Sequence, residues 1–257
     1  MYNVIIKREV RAMQLKEADF ISELTRVFGE NGLGAMLSKE RCEKFFSLTE
    51  RMLEENEKYN LTAITEPSKI ILNHYADCAL IASLFPKGAR IIDVGCGAGF
   101  PTLPLAIVRE DLSILAVDST AKRISYVEES ARILGLSGVT TRVMRAEDGA
   151  KDENMREKFD FATARAVAEL RVLSELCLPF VKVGGKMIAM KGKNAEFELA
   201  GAKRAITILG GKDAKIESFE LVGGDEVLTR PVVVIKKAAK TPHAYPRAYA
   251  QISKKPL

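Results

Sequence analysis

The chain has 257 residues, 47% of them hydrophobic, with 39 basic and 34 acidic residues for a net charge of +5. This is the composition of a globular protein with a real core, built as one large domain or one domain plus an extension. The mild basic excess permits a nucleic-acid partner without requiring one. No apolar run reaches transmembrane length, and the N-terminus lacks the core and cleavage site of a secretory signal. Cys42, Cys78, Cys96 and Cys177 form no C-x-x-C pair and have no metal-like spacing, so no metal is expected. Free thiols suit a reducing compartment, and the expected location is the cytoplasm.

In chain order, residues 1–12 read as a leader outside the fold. Residues 13–85 read as a helical extension: one helix over about 14–29, one N-capped by Ser38 and running to about 59, and one opened by Pro67 and reaching about 85. Phe45, Leu48 and Met52 fall on one face of the second. From 86 to 237 the rhythm changes. Strand-like runs at 90–94, 112–117, 139–143, 159–163, 185–190, 215–222 and 230–236 alternate with helical patterns through 209. The helix over about 120–135 carries Ile124, Val127, Ala131 and Leu134 as its apolar stripe. Alternating β and α units predict an α/β fold with a parallel sheet covered on both faces. Only Gly223-Gly224-Asp225 separates the last two strands, which predicts a closing hairpin. The final segment, 238–257, is a basic tail with interleaved aromatics. Lys237 at its start, then Lys240, Tyr245, Arg247, Tyr249, Lys254 and Lys255, suit RNA phosphates and unstacked bases. Charge alone would equally make it a solvated tail.

The chemistry concentrates at Asp93-Val94-Gly95-Cys96-Gly97-Ala98-Gly99-Phe100, a strand, a tight glycine turn and a helix start. Glycines admit positive φ and close approach of a ligand to the main chain. The spacing is G-x-G-x-G, not the G-x-G-x-x-G of dinucleotide folds. With Asp93 before it, this loop resembles motif I of S-adenosyl-L-methionine (SAM) methyltransferases. In an open parallel sheet, ligands sit at the carboxyl ends of strands. The cofactor candidates are therefore Asp93 at the end of the first strand with Gly95, Gly97, Gly99 and Phe100 after it, Asp118 after the second as a ribose acceptor or helix cap, and Ala146 and Glu147 after the third. Arg165 follows the fourth and Lys191 and Lys193 the fifth; Arg165 and Lys191 are the positioning candidates. His74 and Asp77 stand at i and i+3 on one helical face. That histidine could be catalytic, but the pattern favours one that packs the extension onto the sheet.

Several motifs coincide in order: Lys58-Tyr59-Asn60-Leu61-Thr62, His74 with Asp77, the glycine loop with Leu103-Pro104-Leu105, and Asp118-Ser119 with Lys122-Arg123. Then follow Ala146-Glu147, Ala164-Arg165-Ala166, Leu176-Cys177-Leu178-Pro179, Tyr245-Pro246-Arg247 and Lys254-Lys255-Pro256-Leu257. Over 13–257 the series resembles the glucose-inhibited division protein B family. The resemblance implies a seven-stranded, Rossmann-like class I SAM-dependent methyltransferase with an N-terminal helical extension. It implies methylation of a guanine N7 in 16S ribosomal RNA, S-adenosyl-L-homocysteine as product, and cofactor contacts at Gly95, Phe100, Ala146, Glu147 and Arg165. The partner would be the small ribosomal subunit or an assembly intermediate, with no membrane partner and the enzyme a monomer. Two departures stand out: Thr102 where the family has Gly or Ser, and Tyr249-Ala250-Gln251-Ile252 where it has Gly-Thr-Pro.

Guanine N7 has a lone pair and no proton, so an in-line attack on the sulfonium methyl needs no general base. Rival readings are another methyl acceptor, an NAD oxidoreductase, and a non-catalytic assembly factor. The G-x-G-x-G spacing argues against the second.

Overall fold

The computed structural model describes residues 16–257, so the expected leader over 1–12 lies outside the described residues. Helix α1 (Glu17–Glu30) buries Phe20, Leu24, Val27 and Phe28, which lie on one helical face. Helix α2 (Lys39–Tyr59) begins where Ser38 Oγ accepts the Arg41 N–H at 3.3 Å, as expected of an N-cap. It ends at Asn60, whose φ of 49° is left-handed. The next segment, α3, spans 67–84 and departs from the plain helix expected there. An α turn (Pro67–Ile70) leads into a π turn (Ile71–Ala76), a short α turn (Asp77–Ala79) and a 3-10 turn (Leu80–Leu84). π turns are rare and widen the helix locally. Here the turn lends a carbonyl to the sheet: Arg165 Nη1 donates to the Asn73 oxygen at 2.9 Å.

Seven strands follow: β1 (Arg90–Val94), β2 (Ser113–Asp118), β3 (Val139–Val143), β4 (Phe159–Arg165), β5 (Val181–Met190), β6 (Gly211–Gly223) and β7 (Glu226–Lys237). Their order is β3-β2-β1-β4-β5-β7-β6. The first five are parallel, and β7 runs antiparallel to both its neighbours. The chain works outward from β1 in one direction and from β4 in the other, so a crevice opens between them at the carboxyl edge. The hairpin is longer than its apolar alternation suggests, because polar residues such as Lys212 and Glu226 also pair through their backbones.

Adjacent residues serve opposite faces, as the pleat requires. Ile91 packs with Leu24, Phe45, Tyr75 and Ile114 under the extension. Ile92 packs with Ala162, Leu173 and Met187 on the other face. The expected boundary near residue 85 thus divides segments that share one hydrophobic core. Helices α4 (Thr102–Val108) and α5 (Ala121–Ile133) join the first layer. The second layer holds α7 (Leu170–Cys177) and α8 (Ala195–Ile208), and α6 (Ala146–Gly149) follows β3. The Asn31 amide closes the free edge of the sheet: Nδ2 donates to Val222 O at 2.9 Å, and Oδ1 accepts the Val222 N–H at 2.7 Å. Among the described residues no helix is long and apolar enough to cross a membrane.

The tail is not a solvated strand of charge. It folds back and ends in α9 (Tyr249–Lys254), whose Ile252 is fully buried in the second core. Two of its expected RNA contacts are taken up in this packing. Lys237 closes β7 at 1% exposure and donates to Leu178 O at 2.7 Å and to the Thr241 hydroxyl. Burial pushes its ammonium down to about 8. Arg247 holds the carboxylate of fully buried Glu175 with Nη2 and Nε, at 2.6 and 2.9 Å. Both cations therefore anchor the tail within the fold. Tyr245 is half-buried against the second core, and its carbonyl accepts Arg156 Nη1 at 2.9 Å. Lys240, Lys254 and Lys255 remain exposed.

Arg247→Met strands the Glu175 carboxylate without its partner and is expected to cost about 3 kcal/mol in urea unfolding. Adding Glu175→Met in the same chain removes the orphaned charge and is expected to recover most of that loss.

Candidate active site

Beyond Val94 the chain must turn from β1 into α4 within a few residues. Gly95 has φ 73°, and a Cβ there would lie 2.8 Å from Val167 Cγ2. Gly99 has φ 84°, and a Cβ there would lie 2.6 Å from Leu103 Cδ1. Neither position accepts a side chain without displacing its neighbours. The amides of Gly95 and Cys96 donate to Val117 O at 2.8 and 3.0 Å, which ties the loop to the end of β2. Asp118 completes the tie. Its Oδ2 accepts the Gly97 N–H at 3.1 Å, and its Oδ1 accepts the Thr120 N–H at 2.8 Å.

A cleft of about 320 Å³ runs over the ends of β1, β2 and β3. Of the residues expected to hold a cofactor, Gly95, Asp118, Ala146 and Glu147 line it. Gly97 and Gly99 shape the loop without lining the cleft. The Phe100 ring turns away and stacks on His74 with centroids 4.4 Å apart. Asp93 is fully buried beneath the loop and does not face the cleft. Its Oδ2 accepts the Thr102 hydroxyl at 2.6 Å, which gives the unusual threonine a definite role as the support of this carboxyl. Asp93 Oδ1 and Thr163 Oγ1, opposite one another on β1 and β4, are buried without a hydrogen-bond partner. Burial pushes Asp93 up to about 7.

A second cavity of about 360 Å³ opens over β4, β5 and β7, lined in part by His74, Asp77, Arg165, Lys191, Phe219 and Arg230. Ala166 lines both spaces, and its φ of 56° is left-handed, a strained backbone for alanine. Arg165 lines this cavity and not the cleft. Its guanidinium donates to Asp77 Oδ2, Asn73 O and His74 Nδ1, each at 2.9 Å, and lies over the Phe100 ring. Arg230 Nε sits 3.1 Å from Asp77 Oδ1, and its Nη2 donates to Asn73 Oδ1 at 2.8 Å. Lys191 is engaged within the fold as well. Its ammonium donates to Ala168 O at 2.9 Å and pairs with Glu198 at 2.7 Å, which braces the loop after β4. Lys193, two residues on, is exposed.

A network holds His74 in place: Nδ1 lies 2.9 Å from Arg165 Nη2 and 3.2 Å from Asn73 O, and Nε2 lies 3.0 Å from Thr62 Oγ1. Burial, and then the charge of Arg165, push this imidazole down to about 4. It is neutral near pH 7. The imidazole packs on the Phe100 ring, between the extension and the end of β4.

The pattern assigns no cofactor role to Met144, Leu176 or Tyr249, the last of which it reads as an RNA contact, and does not mark Phe219 and Arg230 in the second cavity. The first three come from a strand exit, a helix and the tail, and no local motif joins them. Arg230 and Phe219 lie in the hairpin, where alternation marks a face but not what that face meets.

Folding holds Asp93 above its ordinary value of 3.8, so its ionisation opposes folding increasingly from there up to about pH 7. Asp93→Asn is expected to stabilise the protein more at pH 8 than at pH 5, by on the order of 2 kcal/mol. Urea midpoints at the two pH values measure it; an equal gain at both would contradict it.

Residues 41–227 match the GidB family, described as rRNA small subunit methyltransferase G. A ribosomal RNA small subunit methyltransferase G from Clostridium beijerinckii is 48% identical over 227 residues, 88% of this chain and 94% of that protein. Its namesake from Clostridium perfringens is 45% identical over 229 residues, 88% of this chain and 95% of the relative. A SAM-dependent O-methyltransferase structure from Thermotoga maritima shares the fold at TM-score 0.50 and 16% identity, covering 74% of this chain and 72% of that one. The chain belongs to the rRNA small subunit methyltransferase G family.

Proposed function

We propose that this methyltransferase moves the methyl group of SAM to N7 of a guanine in 16S ribosomal RNA. In this reading the cleft over β1 to β3 holds the cofactor and the cavity beyond Ala166 receives the base. The observation that carries the reading is that Ala166 lines both spaces, so a donor in one and an acceptor in the other meet at that wall.

The residues fit the cofactor. The side-chain-free Gly95 lets a ligand approach the backbone, Asp118 is a carboxylate at the β2 exit, and Ala146 and Glu147 flank the β3 exit. Bound there, the sulfonium supplies an electrophilic methyl group. The chain's own task is then alignment, worth about 7–11 kcal/mol at best. Both ring nitrogens of His74 already face protein partners and Arg165 is always protonated, so neither removes a proton. Guanine N7 asks for no such removal, and the match supports this acceptor. The methylated base is cationic, and an unpaired arginine beside it would oppose transfer. Asp77 offsets Arg165 and Arg230, which softens that opposition. The exposed cations left for RNA are Lys193, Lys240, Lys254 and Lys255.

The base must be unpaired or splayed out, because the A-form major groove hides N7 from side chains. The substrate is then a small subunit or an assembly intermediate, met in the cytoplasm by a monomeric enzyme.

Methyl-labelled SAM with small subunits lacking the modification is expected to label a single guanine, mapped by chemical cleavage at 7-methylguanosine. No label with SAM binding intact would move the reading to another acceptor or to an assembly factor. Arg165→Ala is expected to lower kcat at least tenfold and leave the Kd for SAM within about twofold, since Arg165 stands outside the cofactor cleft.

A further inference from the structure

The cleft over β1 to β3 has two unlike ends. Near β1 and β2 it is polar and backbone-lined, with Gly95 and the Asp118 carboxylate. Toward β3 the apolar surfaces of Met144, Ala146 and Leu176 and the ring of Tyr249 line it, beside Arg145 and Glu147. Tyr249 comes from the last turn of structure in the chain, yet it is held firmly. Ile252 on the same helix is fully buried, and Arg247 two residues earlier grips the buried Glu175. Glu175 and Leu176 are neighbours on α7, so one helix anchors the tail and lines the cleft. Against this anchoring the Tyr249 side chain stays 42% exposed at the cleft wall. A rigid aromatic face left open beside an apolar recess, one strand beyond a carboxylate suited to ribose hydroxyls, has the chemistry of a purine-stacking platform.

We propose that Tyr249 is a cofactor-contacting residue that stacks on the adenine ring of SAM, so that the C-terminal segment completes the cofactor site. The proposal rests on reading this cleft as the SAM site. Stacking is indifferent to the tyrosine hydroxyl, so the ring and not the oxygen carries the effect. It acts on the base and not on the ribose or the amino-acid part of the ligand.

The test is calorimetric titration of the full-length chain, wild type against Tyr249→Ala and Tyr249→Phe, with S-adenosyl-L-homocysteine, adenosine and S-ribosylhomocysteine, which lacks the adenine. Base–aromatic stacking is worth about tenfold in affinity or more. Tyr249→Ala is expected to raise the Kd for S-adenosyl-L-homocysteine and for adenosine about tenfold and to leave that for S-ribosylhomocysteine within twofold. Tyr249→Phe is expected to restore wild-type affinity. Thermal midpoints without ligand, expected to be equal, guard against a merely structural effect. Wild type that fails to bind S-adenosyl-L-homocysteine overturns the cofactor reading itself. Wild type that binds while Tyr249→Ala binds equally well, or while Tyr249→Phe is as weak as Tyr249→Ala, overturns the stacking role alone.

Discussion

The guanidinium of Arg165 is the joint on which the rest of the site depends. It leaves the end of β4, a strand at the centre of the sheet, and reaches the π turn of the extension. A charge so placed tolerates burial only when its donors are satisfied. Asp77, the Asn73 carbonyl and His74 supply those partners from one short stretch of α3. The π turn and the ring of Phe100, stacked on His74, surround the same guanidinium. Ala166, the next residue, stands in left-handed backbone between the two cavities. The extension is therefore part of the site and not an appendage to a finished sheet.

Much of this was legible in the sequence. Strand positions at 90–94 and 139–143, the Ser38 cap, the hairpin and the glycine loop are local matters, settled by residue type and spacing over a few positions. His74 and Asp77, three apart in sequence, both meet Arg165, and the seven strands follow from the family resemblance. What lay beyond reach was tertiary. Arg165 follows a strand as a cofactor ligand would, but the direction of its side chain was decided by Asp77, 88 residues earlier. Thr102 stands out in the sequence only as a departure from the family, yet it is the hydroxyl that meets the Asp93 carboxyl.

The basic tail shows the same limit in its sharpest form. Counting cations along 237–257 treats each as solvent-facing. Lys237 has its ammonium inside, and Arg247 is committed to Glu175, a carboxylate 72 residues away in sequence. Lys191 on the rim is spent on Ala168 and Glu198. An RNA surface is made of charges left over after the fold has taken its own, and sequence cannot perform that subtraction.

The Glu175–Arg247 pair also bears on how the chain is made. A ribosome synthesises α7 long before residue 247, so Glu175 waits without its partner until the chain is nearly finished. A product truncated ahead of Arg247 would keep a full sheet and most of its core, but with an uncompensated carboxylate inside α7. Such a chain opens more readily and falls to proteolysis sooner than one that carries Arg247. The stability of α7 is thereby tied to a residue made 72 positions later.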